Sequence, residues 1–210
     1  EPEAKSQAPS FHVFEAMRIS SFWKLLAVWC TTAMVGTGLI FHQVSLLAVH
    51  GVARKYALLL LALQAIVATV TGLWAGVLTD RGHERFLLAG SMLFLGSGVC
   101  LLLWLPSPEW AVLYGGLLGM QGGIIRTAGT AVWINYYGRE NQGAIRGVAM
   151  AAAVVAAAFG PLPLALSWDL TESYALALGV FAVLPLISGL CVFTAKRPTR
   201  SARDRERLEA

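Results

Sequence analysis

One arginine stands near the centre of a long apolar stretch. The run 110–138 is rich in glycine and aliphatic residues and carries a single charge, Arg126. If the run is a helix crossing a bilayer, a rise of 1.5 Å per residue sets this residue within roughly 5 Å of the midplane. A charge at that depth costs about 2.5 to 3.5 kcal/mol on insertion scales, and is tolerated where it faces a water-filled cavity or an anionic partner. At helical spacing Arg126 shares a face with Gly119, Gly122, Gly123, Gly129, Thr130 and Trp133, which together read as a groove of small residues with an aromatic floor. A guanidinium fork matches a carboxylate through two parallel hydrogen bonds. The expectation is that Arg126 binds an anionic group of a small molecule, with Trp133 beside it. The alternative is that it bonds backbone carbonyls or an acid supplied by another subunit, because none of the apolar runs contains Asp or Glu.

A second group of polar residues lies in the run 25–49. His42 and Gln43 sit in its later half, with Ser45 close by. An imidazole titrates near neutral pH and can relay protons, although a hydrogen-bonded histidine between helices would look the same in sequence. Gln64, Gln121 and Asn135 are further polar residues that either line a path or bond a neighbouring helix. Known catalytic signatures are missing: there is no nucleophile elbow, no zinc-binding His-Glu-x-x-His and no phosphate-binding glycine loop. The three cysteines, Cys30, Cys100 and Cys191, are far apart in apolar runs, without the spacing of a metal or redox motif. No enzyme, metal site or cofactor is expected.

The elements that position these residues follow from composition. The 210 residues are 57% hydrophobic and 13% charged, against about a quarter charged in soluble domains. Five runs lack Asp, Glu, Lys and Arg, namely 25–49, 56–79, 86–108, 147–168 and 173–195, and the run around Arg126 makes a sixth. Each meets the length of about 20 residues that a membrane helix needs. They exceed a barrel strand and show no strict alternation, so helices are expected. The fold class is therefore an all-α membrane protein with six transmembrane helices.

Charge sets the expected orientation. Lys5, Arg18, Lys24, Arg81, Arg85, Arg139, Arg146, Lys196, Arg197 and the arginines that follow fall on one side, and only Arg54 and Lys55 on the other. By the positive-inside rule both termini face the cytoplasm, in a plasma or inner membrane. The amino terminus lacks the basic-then-apolar layout of a cleavable signal. The net charge of +4 is spread over loops and the basic tail, so nucleic-acid binding is not expected. The chain divides into a cytoplasmic segment 1–21, a bundle 22–195 and a basic tail 196–210 near anionic lipid.

Small residues mark close helix approach: Gly115, Gly119 and Gly123 in one ladder, Gly72 and Gly76 in another, and the alanine-rich stretch 151–158. Gly160-Pro161-Leu162-Pro163 and Pro185 remove backbone donors, so bends or local unwinding are expected there.

The stretch Gly76-Val77-Leu78-Thr79-Asp80-Arg81-Gly82-His83-Glu84-Arg85 resembles the loop motif Gly-x-x-x-Asp-Arg/Lys-x-Gly-Arg-Arg of the major facilitator superfamily. The second glycine comes one position early, and His83 and Glu84 replace a glycine and a basic residue. Glu15-Ala16-Met17-Arg18 with Phe22-Trp23 resembles the start of the seventh helix in the monocarboxylate and oxalate-transporter-like branch. Tyr137-Gly138-Arg139 through Gly143, Arg146-Gly147, Gly160-Pro161 and the segment 169–174 resemble its eleventh-helix region.

The resemblance implies the carboxy-terminal half of a major facilitator fold: two inverted three-helix repeats that rock against an amino-terminal bundle around a midplane site. That partner half lies outside these residues, so the chain is expected to be a fragment, to pair with another chain or to form a homodimer. The resemblance gives Gly76, Asp80, Arg81 and Arg85 a gating role, with Asp80 facing the partner half and Arg85 reaching Glu140. The branch often carries its substrate arginine on the eighth helix. Here the run 56–79 has none, and Arg126 takes that place. The implied function is secondary transport of a small organic anion, driven by a proton or counter-substrate gradient, with His42, Gln43 and Gln64 along the path. The alternative is a nontransporting membrane module that binds a partner.

Overall fold

The computed structural model describes residues 11–198, and among them all regular elements are helical. A short α1 (Val13–Arg18) precedes α2 (Ser20–Val49), α3 (Arg54–Asp80), α4 (Glu84–Leu103), α5 (Ala111–Tyr137), α6 (Gln142–Phe159), α7 (Pro161–Thr171) and α8 (Ala175–Phe193). Lys5 and the arginines from Arg200 onward fall outside the described residues.

Five helical stretches are long and apolar enough to cross a membrane: Ser20–Val49, Arg54–Asp80, Glu84–Leu103, Gln142–Thr171 and Ala175–Phe193. The fourth joins α6 and α7. The sixth expected span, α5, is a continuous helix of 27 residues, about 40 Å long. It falls outside those five because its glycines, Gln121, Arg126 and Asn135 dilute its apolar character. Such a chain can bury its backbone polar groups in hydrocarbon only by folding them into helices, which makes it an integral multi-pass membrane protein.

Breaks fall where the chain loses donors or needs left-handed backbone. The apolar run 86–108 stops being helical at Leu103, before Pro106 and Pro108. Gly82, at φ 78°, turns the chain between α3 and α4, and Gly138, at φ 80°, ends α5. The expected interruption at Gly160 is present, since α6 ends at Phe159 and α7 begins at Pro161. At Pro185 the helix continues unbroken, so no local unwinding occurs there.

Tight crossings use the glycines. A side chain at Gly38 of α2 would come within 2.6 Å of the Gly160 carbonyl oxygen. One at Gly119 would come within 2.7 Å of Val67 and 2.8 Å of the Gln64 carbonyl, and one at Gly123 would run into the backbone of Ala68 and Gly72. Close backbone approach of this kind is how helices associate in lipid, where burial of apolar surface drives little. Thr127 adds a hydrogen bond across the same crossing, from its Oγ1 to the Gly72 carbonyl at 3.2 Å. Its methyl group stands 3.7 Å from where a side chain at Gly76 would begin.

The first described residues, the end of α5 and the end of α8 lie at one end of the bundle. Phe11, Phe22, Trp133 and Tyr137 form an aromatic cluster there, with Phe22 and Trp133 edge to face at 5.6 Å. The hydroxyls of Ser21 and Tyr137 share a buried hydrogen bond of 2.9 Å. The Lys24 ammonium donates to Thr194 Oγ1 at 2.9 Å, tying the start of α2 to the end of α8.

Candidate functional site

Arg126 is exposed, and it is the one residue of α5 between Tyr114 and Tyr137 that is. The rest of that stretch is buried or half-buried against α3 and α4, so the helix presents a charge at a single opening in its packing. The guanidinium runs back toward Gly122, one nitrogen lying 4.0 Å from where a side chain at Gly122 would begin, as the tilt of helical side chains dictates. Its own turn is closed by Thr130 Oγ1, which donates to the Arg126 carbonyl at 2.6 Å. The guanidinium has no hydrogen-bond or ion-pair partner among the described residues.

The groove around it is narrower than the spacing of small residues implies. Gly119 and Gly123 are filled by α3, which leaves Gly122, Gly129 and Thr130 beside the arginine. On the neighbouring α2, the Trp29 indole nitrogen lies 3.5 Å from where a side chain at Gly129 would begin. Trp29 and Trp133 meet at 6.3 Å, and both indole N–H groups are buried without a partner. Trp133 itself is fully buried, a floor rather than a wall open to a ligand. Nearer the other end, Gln121 Nε2 donates to Thr32 Oγ1 at 3.4 Å, a second bridge between α5 and α2.

The other predicted polar residues lie elsewhere. Gln43 is buried and donates to the Ala57 carbonyl at 2.8 Å, while Gln64 Nε2 donates to Gln43 Oε1 at 3.1 Å. Their amides are thus engaged in the α2–α3 crossing. The ring of His42 faces Tyr174 at 5.9 Å. It stands about 15 Å further along α2 than Thr32, which is level with Gln121. The structure therefore does not bring His42 and Arg126 together.

At the end of the bundle that holds Phe11 and Thr194, Asp80 and Arg81 are exposed where α3 ends, and Glu140 is exposed beyond α5. The Arg85 guanidinium lies over the Phe86 ring at 4.6 Å. The best-partnered charge here is Glu84, 2% exposed, which in the sequence stands out only as a departure from the loop motif. It accepts from Asn135 Nδ2 at 2.5 Å and from an Arg197 guanidinium nitrogen at 2.9 Å. Asn135 thus bonds the neighbouring helix α4, one of the two readings open to it in sequence. Trp29 was also missed, because an isolated tryptophan in an apolar run carries no signal of what its N–H will meet.

The described helices thus form a multi-pass bundle with one exposed charge in mid-helix. The family model of the Major Facilitator Superfamily matches residues 24–209, and the chain belongs to that superfamily, whose members carry out membrane transport. Comparison with curated proteins finds no match.

Proposed function

We propose that this chain moves a small organic anion, monocarboxylate-like in class, through the membrane by alternating access, and that it does so as the carboxy-terminal half of a major facilitator transporter. The observation that carries the reading is the exposed and unpartnered guanidinium of Arg126 in an otherwise packed helix. An arginine offers five donors and no acceptor, so its natural guest at low dielectric is an anion rather than a cation or a neutral sugar.

The packing supports two inverted three-helix repeats. Taking α2, α3 and α4 as one triplet and α5, α6–α7 and α8 as the other, the first helix of each packs on the second of its counterpart. Gly119, Gly123 and Gly72 make one of these crossings, and Gly38 with Gly160 makes the other. The third helices, α4 and α8, pack on each other. With the amino-terminal bundle supplied by a partner half, or by a second copy, Asp80 and Arg81 on their exposed loop would meet it. His42 is proposed as a proton relay at the far end of α2, with a counter-substrate as the other coupling route.

Uptake of labelled lactate into proteoliposomes tests the reading. The expected result is uptake that requires a partner bundle, rises with an imposed pH gradient and is lost in Arg126→Gln. Uptake that is unchanged in Arg126→Gln contradicts the assignment of the anion site.

A further inference from the structure

A lateral cavity lies away from Arg126, at the opposite end of the bundle from Phe11 and Thr194. It measures about 460 Å³ and runs between the first turns of α3 and the start of α5, a size that accommodates a ligand or a length of acyl chain. Its walls are Ala53, Tyr56, Leu59, Leu63 and Val112, and its one charged lining residue is Glu109. Tyr56, Leu59 and Val112 are exposed, so the groove opens sideways. Trp104, 82% exposed, stands at the same end with Trp110 and Tyr56. Amphipathic rings at one level mark the boundary between hydrocarbon and headgroups.

Two cations stand beside this groove in a position that nothing in the chain explains. Arg54 and Lys55 open α3, between the lining residues Ala53 and Tyr56. The positive end of the helix dipole repels cations there, and neither residue takes part in an ion pair among the described residues. Apart from Arg126 in mid-helix, the remaining lysines and arginines of the described residues gather at the opposite end. An anionic group at the mouth of the groove would reverse both penalties.

We propose that the groove binds one phospholipid whose headgroup carries a primary amine. Its phosphate meets Arg54 and Lys55, its ammonium donates to the Glu109 carboxylate, and an acyl chain lies along Leu59, Leu63 and Val112. The headgroup and rim then match charge for charge, and the chain end matches an apolar wall. Free phosphate would satisfy the cations and leave both the groove and Glu109 without a role.

Native mass spectrometry of the whole chain, taken from vesicles with equal amounts of phosphatidylethanolamine, phosphatidylcholine and phosphatidylglycerol, tests this. The expected result is a single phosphatidylethanolamine adduct, favoured about fivefold over phosphatidylcholine, whose quaternary ammonium has no N–H to donate. Glu109→Gln should erase that preference while adducts persist. Arg54→Gln with Lys55→Gln should reduce all adducts, and Leu63→Trp should block the groove, each with helical circular dichroism unchanged. Equal retention of the three lipids, preference for phosphatidylglycerol, no adduct at all, or a preference that survives Glu109→Gln would each overturn the proposal. Arg126→Gln should leave the adduct untouched, so failure of the anion-transport reading and failure of this one are separable.

Discussion

Glu84 and Arg126 are both charged side chains on helices of an apolar bundle, and the fold treats them in opposite ways. Glu84 sits at the first residue of α4, 2% exposed, with Asn135 and Arg197 supplying two charge-assisted bonds to its carboxylate. Three separate parts of the chain converge on it. Arg126 sits in mid-helix with its turn secured through the backbone and its guanidinium free of any partner among the described residues. Burying a carboxylate without partners costs several kcal/mol, so the region around Glu84 is built to satisfy it. Around Arg126 the neighbouring side chains are those of glycines, buried indoles and Thr130, whose hydroxyl is turned to the Arg126 carbonyl, and none carries an anionic acceptor for the guanidinium. A charge that is satisfied internally holds a structure together, and a charge left open is available to something that comes and goes.

The largest effect that would break this comparison belongs to Arg126. Arg126→Gln should weaken anion binding about 100-fold, the loss of a bidentate charge-assisted contact, while the melting temperature stays put. Arg126→Lys, which keeps the charge and loses the fork, should weaken it about tenfold. Isothermal titration with lactate measures both, and a lowered melting temperature in either variant would move Arg126 into the class of Glu84.

Next in size is Arg197→Ala, which leaves the Glu84 carboxylate with Asn135 alone. Because the arginine side chain is 54% exposed, solvent screens much of the pair. The expected loss is about 1 to 2 kcal/mol of stability rather than the larger figure for a fully buried pair. Replacing both partners, Glu84→Leu with Arg197→Leu, should recover most of it, since no charge is then left buried. A double variant less stable than Arg197→Ala in thermal unfolding would show that the pair does more than satisfy a buried acid.

The smallest effect sharpens the view of the Phe11 end of the bundle as scaffold. Ser21→Ala orphans the buried Tyr137 hydroxyl and should cost about 1 kcal/mol, with lactate affinity unaltered. Thermal unfolding and titration on the same sample check both halves of that statement.

Much of the fold could be read from the chain, because hydrocarbon imposes a length and a lack of charge that few sequences meet by accident. The runs containing α2, α3, α4 and α8 follow from this alone, and the α6–α7 break from Gly160 and Pro161. The helix termini were less legible: proline ended α4 at Leu103 well before its apolar run stopped, and α8 passed through Pro185 intact.

The site was half legible. A lone arginine in mid-span is visible in any window, yet helical periodicity alone could not say that Gly119 and Gly123 would be consumed by α3 while Gly122 and Gly129 stayed beside the arginine. Nor could it place His42 about 15 Å along α2 from Thr32, the residue level with Gln121, since two residues in different runs share no register until the helices pack. The Glu84–Arg197 pair spans 113 positions of sequence. Of the several acids near the loops, only the crossing of α4, α5 and the segment after α8 decides which one is buried.

Thermal unfolding of the chain in lipid nanodiscs, with and without lactate at ten times its dissociation constant, is the most direct measurement. A ligand at that excess stabilises the form it binds by about 1.4 kcal/mol. Lactate should raise the melting temperature of the unsubstituted chain and leave Arg126→Gln unmoved, and the two proteins should melt together in its absence. Equal stabilisation of both, or an Arg126→Gln chain that melts early without any ligand, would contradict the claim that this arginine is held open for an anion.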